Sequence, residues 1–161
     1  MKVVVFDYLG SIDPDSVGAV MDVGTWQAQP GIADAIAHLN HHGWHVVQAV
    51  NQPGLGRGSL EIAELTAVQQ RLQKILNAAG GRIEAFFFCP HAPEEHCDCR
   101  KPAPGLLLQI AARCGVAPQE LWVVGLCQAH IQAGLAVGAK VALVMPDPSL
   151  HIDCTLCAES P

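Results

Sequence analysis

The sequence predicts an α/β protein: a Rossmann-like three-layer α/β/α sandwich with a mainly parallel sheet and little or no cap domain. Short apolar, β-branched runs alternate with amphipathic stretches along most of the 161 residues. Strands that alternate with helices pair in parallel through right-handed crossovers. Half of the residues are hydrophobic and 15% are charged, which suits a buried core and is too apolar for disorder.

The first half of the chain predicts two strands and two helices. The apolar run 3–7 is a buried strand, and a helix follows over 31–42, with Gly43 as its end. A second strand is predicted over 44–50. Ser59 is then placed to cap a helix. The apolar face of that helix has six members at helical spacing: Ile62, Leu65, Val68, Leu72, Ile75 and Leu76.

The second half continues the alternation. A strand is predicted over 84–88 and a helix near 104–114. The apolar run 121–125 is the fourth strand, a helix follows near 129–137, and 140–144 is the fifth strand. These elements complete the pattern of an open, doubly covered sheet.

We expect one domain over 1–148, with a metal-binding loop over 89–101, and a loosely held C-terminal tail over 149–161. The tail would suit either a metal or a partner, but a mobile segment with neither role is the simpler expectation. It carries three potential ligands: His151, Cys154 and Cys157.

Charge and composition exclude several classes of protein. Nine Lys and Arg residues against 15 Asp and Glu residues give a net charge of -6, which disfavours a nucleic-acid partner. No apolar run approaches the roughly 20 residues of a membrane helix, so we expect no membrane partner. The first residues show no secretory signal, and we therefore expect a cytoplasmic protein. The sequence does not indicate a protein partner.

Residues capable of chemistry fall at the carboxyl ends of the predicted strands. Asp7 ends the first strand and Asn51 follows the second, while Cys89 follows the third and Gly125 ends the fourth. Ligands of open parallel sheets bind at this edge. The pattern therefore predicts one crevice that these positions share.

The loop after the third strand predicts a metal site. Cys89 and His91 form a C-x-H pair, and Cys97 and Cys99 form a C-x-C pair shortly afterwards. Three thiolates and an imidazole match a closed tetrahedral zinc site, which would be structural because no position is left for water. His96 is a competing ligand that is less well placed. A loop without metal is the plainer alternative.

Five segments in order carry a resemblance over most of the chain. They are "FDYLGS", "NQPGLGRG", "CPHAPEEHCDCRKPAPG", "GVAPQELWVVG" and "LCQAHIQAG". In these segments the chain resembles the haloacid dehalogenase superfamily of aspartate-nucleophile phosphatases. More narrowly, it is similar to the group of D,D-heptose 1,7-bisphosphate and histidinol-phosphate phosphatases. The cysteine loop and the junction "CRKP" are the most specific of these features.

The resemblance implies a phosphatase mechanism. A first aspartate attacks phosphorus, and a second, two residues later, transfers protons. Magnesium is held by the nucleophile, a backbone carbonyl and an aspartate after the fourth strand. A hydroxyl at the end of the second strand and a lysine after the third hold the phosphoryl oxygens.

This sequence keeps only part of that set. The resemblance assigns Asp7 as the nucleophile and Lys101 as the phosphate-binding lysine. Four positions depart from the pattern: Leu9 at the acid/base, Val50 at the hydroxyl, Leu126 at the magnesium aspartate and His130 at a second acid. We therefore expect magnesium to be held poorly.

The resemblance also implies a site for substrate phosphate. It assigns Asn51, Arg57 and Arg100 to substrate binding, and arginine grips phosphate through paired hydrogen bonds. The plainer alternative is that both arginines are ordinary surface residues. A phosphorylated sugar or phosphate is the ligand that these residues favour.

Three hypotheses follow from the sequence. The first is a catalytically impaired phosphatase homologue that keeps a structural zinc and binds a sugar phosphate. The second is an active heptose-bisphosphate-type phosphatase that uses Asp7, with His130 as a candidate acid. The third is a scaffold or interaction protein. A softer metal site of Asp7, Cys127 and His130 is a further alternative, although loss of function at these positions is the simpler explanation.

Overall fold

The computed structural model describes residues 1–7, 31–51, 58, 61–91, 93–125 and 128–143. The strands in these ranges are β1 (Lys2–Phe6), β2 (Trp44–Asn51), β3 (Ala85–Cys89), β4 (Leu121–Gly125) and β5 (Lys140–Leu143). The α-helices are α1 (Ile32–His41), α2 (Ile62–Ala78), α3 (Gly105–Cys114) and α4 (Gln128–Ala136). All of these elements belong to one α/β unit.

The five strands form a single parallel sheet in the order β3-β2-β1-β4-β5. β1 is central, with Val4 opposite Val46 of β2 and opposite Trp122 of β4. The chain runs outward on one side of β1 and then crosses to the other side. The predicted Rossmann-like fold is confirmed, and the reversal of direction beside β1 places the crevice at the carboxyl ends of β1, β2 and β4.

Helices on both faces explain why β1 is apolar along its whole length rather than alternating. Val3 and Val5 contribute to a core that includes residues of α3 and α4. Val4 and Phe6 contribute to a second core that includes residues of α1 and α2. A strand that is buried on both faces reads as a continuous hydrophobic run. The two cores thus hold the end of β1, and the residue after it, in a fixed position.

Most predicted bounds are within two residues of the observed ones. α2 begins at Ile62 with Glu61 as its N-cap residue, while Ser59, the predicted cap, lies outside the described residues. Ile62 was expected on the buried face of this helix but is 59% exposed, because it lies in the first turn, beyond the sheet-facing residues Leu65, Leu72 and Leu76. The prediction that Ile62 is buried was therefore wrong. The predicted stop at Gly43 fits its positive φ of 84°, which glycine adopts without strain.

Several expectations concern residues outside the described ranges. They include the end of β5 at Val144 and the tail 149–161, so the proposed division into a domain and a tail stays a prediction. In the described part of the chain, no helix combines the length and the apolar character that crossing a membrane requires.

Candidate functional site

Asp7 lies where β1 ends and is 1% exposed. A Cβ atom built on Gly125, at the end of β4, would overlap the Asp7 carboxylate. Glycine at 125 therefore leaves the space that this side chain occupies. The side-chain Nε2 of Gln48, in β2, donates a hydrogen bond of 3.1 Å to the backbone carbonyl oxygen of Asp7. This bond ties Asp7 to the neighbouring strand. The structure thus places the predicted nucleophile between the ends of β1 and β4.

Lys101 is also 1% exposed, and its ammonium group lies at the same edge of the sheet. Nζ donates to the Ala49 carbonyl oxygen at 2.6 Å and contacts Nδ1 of His130 at 2.9 Å. A buried ammonium needs such partners, because desolvation without them is costly. The Lys101 amine is therefore held by β2 and by α4.

His130 is fully buried, and hydrogen bonds occupy both of its ring nitrogens. Nε2 lies 3.0 Å from the Val5 carbonyl oxygen, which only accepts, so Nε2 carries the proton and donates. Nδ1 then accepts from Lys101. Burial and the Lys101 charge hold the pKa of His130 well below its ordinary value, against the opposing hydrogen bonds to the Val5 and Val124 backbone. The imidazole is therefore neutral at physiological pH.

The backbone of Lys101 is fixed by Asn51. The side-chain Nδ2 of Asn51 donates to the Lys101 carbonyl oxygen at 3.2 Å, and the backbone N–H of Lys101 donates to Oδ1 of Asn51 at 3.0 Å. Asn51 is 1% exposed and stands opposite Cys89 in the sheet register. One side chain thus clamps the loop after β3 onto the end of β2. We call this pair of hydrogen bonds the Asn51 clamp.

The other assigned positions are divided between described and undescribed residues. Val50 lies in β2 and is buried, as an apolar residue in a central strand should be. Arg100 is 5% exposed, so the alternative of an ordinary surface arginine does not hold for it. Leu9, Arg57 and Leu126 lie outside the described residues, as do Cys127 and the tail.

The described residues of the sheet edge do not fit a magnesium ion well. Among the buried residues that the structure describes, Asp7 is the single carboxylate. Magnesium prefers an octahedral set of oxygen ligands, and one or two carboxylates normally anchor it. The positions that would supply further acids by resemblance are leucines or a histidine whose nitrogens are already hydrogen-bonded. For the same reason His130 is not available for the softer metal site with Cys127.

The metal-binding residues predicted after β3 do come together. The ligand atoms of Cys89, His91, Cys97 and Cys99 all lie within 4.8 Å of one another. The three Sγ–Sγ distances are 2.8, 3.4 and 3.6 Å, and Nδ1 of His91 lies 3.2 Å from Cys99 Sγ and 3.5 Å from Cys89 Sγ. A tetrahedral zinc with Zn–S bonds of about 2.3 Å needs sulfur atoms about 3.8 Å apart, roughly 1 Å more than the shortest of these distances. The residues therefore fit a zinc ion once the Cys89 and Cys99 sulfur atoms move apart by that amount.

The cysteines of this cluster differ in acidity. Burial raises the pKa of the Cys89 thiol, and its hydrogen bond with Cys99 raises it further. Burial also raises the pKa of Cys99. At Cys97 burial acts in the same direction, but hydrogen bonds with the Cys89 thiol and the Arg100 backbone lower the pKa to about 7. Binding of a metal would release protons from these thiols.

The metal-binding cluster and the sheet edge are joined through the backbone. Cys89 ends β3 beside Asn51, and Cys99 precedes Lys101 by two residues. The Gly105 amide donates to the Asp98 carbonyl oxygen at 2.9 Å, which closes the loop onto the start of α3. A Cβ at Gly105 would overlap this carbonyl, so the close turn requires glycine. The cluster and the Asn51 clamp together position Lys101.

Sequence reasoning missed the hydrogen bonds that hold this edge together. Gln48 and the backbone carbonyls of Val5 and Ala49 were not singled out, because strand position alone does not show which carbonyl accepts a side-chain proton. Position 130 was considered as a lost acid, as a candidate acid and as a ligand of a softer metal site, but not as a partner of Lys101. The signal for its position was that it follows the end of β4 by five residues and so lies in the first turn of α4, above the strand ends.

The parallel sheet and its strand order are those of a haloacid dehalogenase-type phosphatase fold, and comparisons with known proteins agree. A Pseudomonas putida D-glycero-beta-D-manno-heptose-1,7-bisphosphate 7-phosphatase is 40% identical over 144 residues, which cover 89% of this chain and 82% of the relative. No protein-family model matches the chain.

Solved structures agree as well. The D,D-heptose 1,7-bisphosphate phosphatase from B. bronchiseptica, crystallised with magnesium and phosphate, superposes with a TM-score of 0.83 at 35% identity, covering 91% of this chain and 82% of its own. The Burkholderia thailandensis D,D-heptose 1,7-bisphosphate phosphatase gives a TM-score of 0.65 at 34% identity, covering 100% of this chain and 88% of its own. The chain belongs to the heptose-1,7-bisphosphate phosphatase family of the haloacid dehalogenase superfamily.

Proposed function

We propose that this protein binds a phosphorylated sugar at the carboxyl edge of its sheet and hydrolyses it slowly or not at all. The relatives' substrate, a heptose bisphosphate, is the chemical class we assign to the ligand. The observation that carries the proposal is the composition of the edge. It keeps Asp7, Lys101, Asn51 and Arg100 as buried polar residues, and Asp7 is the single buried carboxylate of the described chain.

The loss of turnover follows from the magnitudes. Removing a general acid/base costs about 10²–10⁴ in rate, and leucine at position 9 transfers no proton. Phosphoryl transfer depends mainly on positioning and on stabilisation of the developing charge, so a weak magnesium site costs a further factor. Because such groups act as a unit, the losses do not multiply, but the expected rate is still far below that of the family.

We also propose that the cluster after β3 holds a structural zinc. The residues Cys89, His91, Cys97 and Cys99 provide four ligands, and a closed set leaves no coordination position for water or substrate. Zinc would cross-link the loop that carries Arg100 and Lys101 and would supply no chemistry at the sheet edge.

We likewise propose a single domain over 1–148 and a cytoplasmic location.

An active phosphatase is the second candidate, and the relatives' names favour it. The relatives compared above, at 34–40% identity, are all named as phosphatases of a heptose bisphosphate. In this candidate function Asp7, at the carboxyl end of β1, would be the nucleophile that attacks phosphorus. His130 does not fit the role of acid in this version, because both of its nitrogens are hydrogen-bonded to protein groups. The scaffold hypothesis has no specific observation in its favour.

Phosphate release from D,D-heptose 1,7-bisphosphate, histidinol phosphate and an aryl phosphate, each with magnesium, separates these candidates. We expect no release above that of the Asp7→Asn variant. Turnover near one per second, lost in Asp7→Asn, is in the usual range of enzymes and would establish the active alternative.

Calorimetric titration with heptose phosphates tests the binding half of the proposal. We expect saturable binding by the wild type and weaker binding by Arg100→Gln, which removes one guanidinium without adding charge. A protein that neither turns over nor binds any of these ligands would fit the scaffold hypothesis instead.

A further inference from the structure

We infer that His130 is a positioning residue that holds the Lys101 ammonium with a neutral acceptor, so that the sheet edge binds phosphate without magnesium. The inference rests on the proposed sugar-phosphate site and deepens it. It concerns the contacts among Lys101, His130 and the two strand carbonyls, and it assigns a role to a residue that the phosphatase resemblance counts only as a lost acid.

The hydrogen bonds alone fix the state of His130. The Val5 carbonyl oxygen accepts and cannot donate, so Nε2 at 3.0 Å carries a proton. A second proton on Nδ1 would point at the Lys101 ammonium, 2.9 Å away, with two like charges in a buried space. Nδ1 is therefore the acceptor, and the Lys101 ammonium donates to it. The low pKa of His130, caused by burial and by the lysine charge, agrees with this arrangement.

The neutral imidazole of His130 and the carboxylate of an aspartate at that position could both accept a hydrogen bond from Lys101, but they would give the site different net charges. An aspartate at 130 would cancel the ammonium charge, whereas imidazole leaves it unchanged. With a neutral imidazole at position 130, His130 does not cancel the charge of the Lys101 ammonium. This charge at the sheet edge favours an anion even without a divalent cation.

The same set disfavours magnesium as the source of positive charge. A site with one carboxylate gives magnesium few of the oxygen ligands it prefers, and His130 offers no free nitrogen. In this protein the fixed ammonium, held by Ala49 and His130, takes the place of the mobile cation. The chemical class of the ligand stays the same, and the requirement for a metal at the edge is removed.

A matched pair of variants isolates the charge at position 130. His130→Asn and His130→Asp have the same shape, and both present an oxygen where Nδ1 accepts, but only aspartate is negative. Binding of inorganic phosphate is measured by calorimetry, once with a magnesium chelator that leaves the zinc content unchanged and once with excess magnesium. We expect wild type to bind equally in both conditions, within about twofold, and His130→Asn to stay within about threefold of wild type. A full charge a few ångströms away should weaken binding by His130→Asp on the order of 10- to 100-fold in the chelator.

Each other outcome has a defined meaning. Wild-type binding that requires magnesium, or equal binding by the two variants, would overturn the inference and leave the proposed sugar-phosphate site standing. No phosphate and no sugar-phosphate binding at all would overturn both. If His130→Asp fails to fold, nitrogen-15 NMR of the wild-type imidazoles decides: a neutral Nε2–H ring at pH 7 is expected, and a charged ring or an Nδ1–H tautomer would contradict the inference.

Discussion

The metal-binding cluster and the sheet edge adjoin, because Cys99 of the cluster precedes Lys101 of the edge by two residues. They differ in how many of the residues expected from the family pattern are present. The cluster has four ligands within 4.8 Å of one another, while the edge keeps Asp7 and Lys101 without a second buried carboxylate in the described chain. In the proposed function, the cluster stabilises the loop and the sheet edge binds the ligand. Separate residues therefore support the loop and the edge, so that one can change while the other is kept.

The strongest way to break this comparison is to remove the metal. Cys97→Ala should lower the thermal midpoint by on the order of 10 °C and abolish metal binding, because binding energy at such a site is folding energy. Differential scanning calorimetry and metal content per chain are the measurements. Cys114→Ala is the control, since Cys114 is a free cysteine outside the cluster, and should keep one metal per chain. A stable, metal-free wild type would remove the structural role.

The second test restores the reaction instead of removing the support. Leu9→Asp combined with Val50→Thr, Leu126→Asp and His130→Asp should raise phosphate release by about 10²–10⁴ over wild type, because it returns an acid/base and magnesium ligands to the edge. Release is measured with magnesium and a heptose bisphosphate. The same combination with Asp7→Asn should be inactive. If the restored protein folds and binds magnesium but stays inactive, more than these side chains has been lost.

A smaller effect is expected where the two regions join. Asn51→Leu breaks both hydrogen bonds of the Asn51 clamp and leaves buried backbone groups of Lys101 unpaired, which should cost about 2–4 kcal/mol in the free energy of unfolding. Asn40→Leu is a matched control. Asn40 also bonds two backbone groups, Trp44 O and Arg82 N, near the opposite end of the same strand, where the Arg82 bond is exposed to water. Urea unfolding should show the smaller loss there.

The smallest effect concerns the pH dependence of stability. The folded pKa of His130 lies below its unfolded value of about 6.5, so the unfolded chain takes up a proton first as pH falls. Stability should therefore decrease below about pH 6.5, by about 1.4 kcal/mol per pH unit, until the folded pKa is reached. Urea unfolding at pH 7.5, 6.5 and 5.5 measures this slope. His130→Asn should lack this component, and parallel slopes for the two proteins would contradict a buried neutral imidazole.

The sequence predicted the fold and the metal cluster well because both depend on local patterns. Apolar, β-branched runs located β1 and β4, and the spacing of Cys89, His91, Cys97 and Cys99 was itself the signal of the cluster. The exposure of Ile62 was not predicted, because helical spacing alone does not show which end of a helix extends beyond the sheet.

The sheet edge was only partly predictable. Its identity followed from strand ends, but its hydrogen bonds connect residues that are 29 to 125 positions apart in sequence, such as Lys101 with His130 and His130 with Val5. A substitution such as aspartate to histidine indicates that a role has been lost. It does not indicate which new contact the histidine makes, because that depends on carbonyl groups that every residue carries.

The two hydrogen bonds of the Asn51 clamp fix the main chain of residue 101 and do not involve its side chain. The loop should therefore keep its path when a lysine analogue of the same volume is placed at position 101, whereas a bulkier group would overpack the buried space. The end of the sheet thus separates the choice of amine from the path of the chain that carries it.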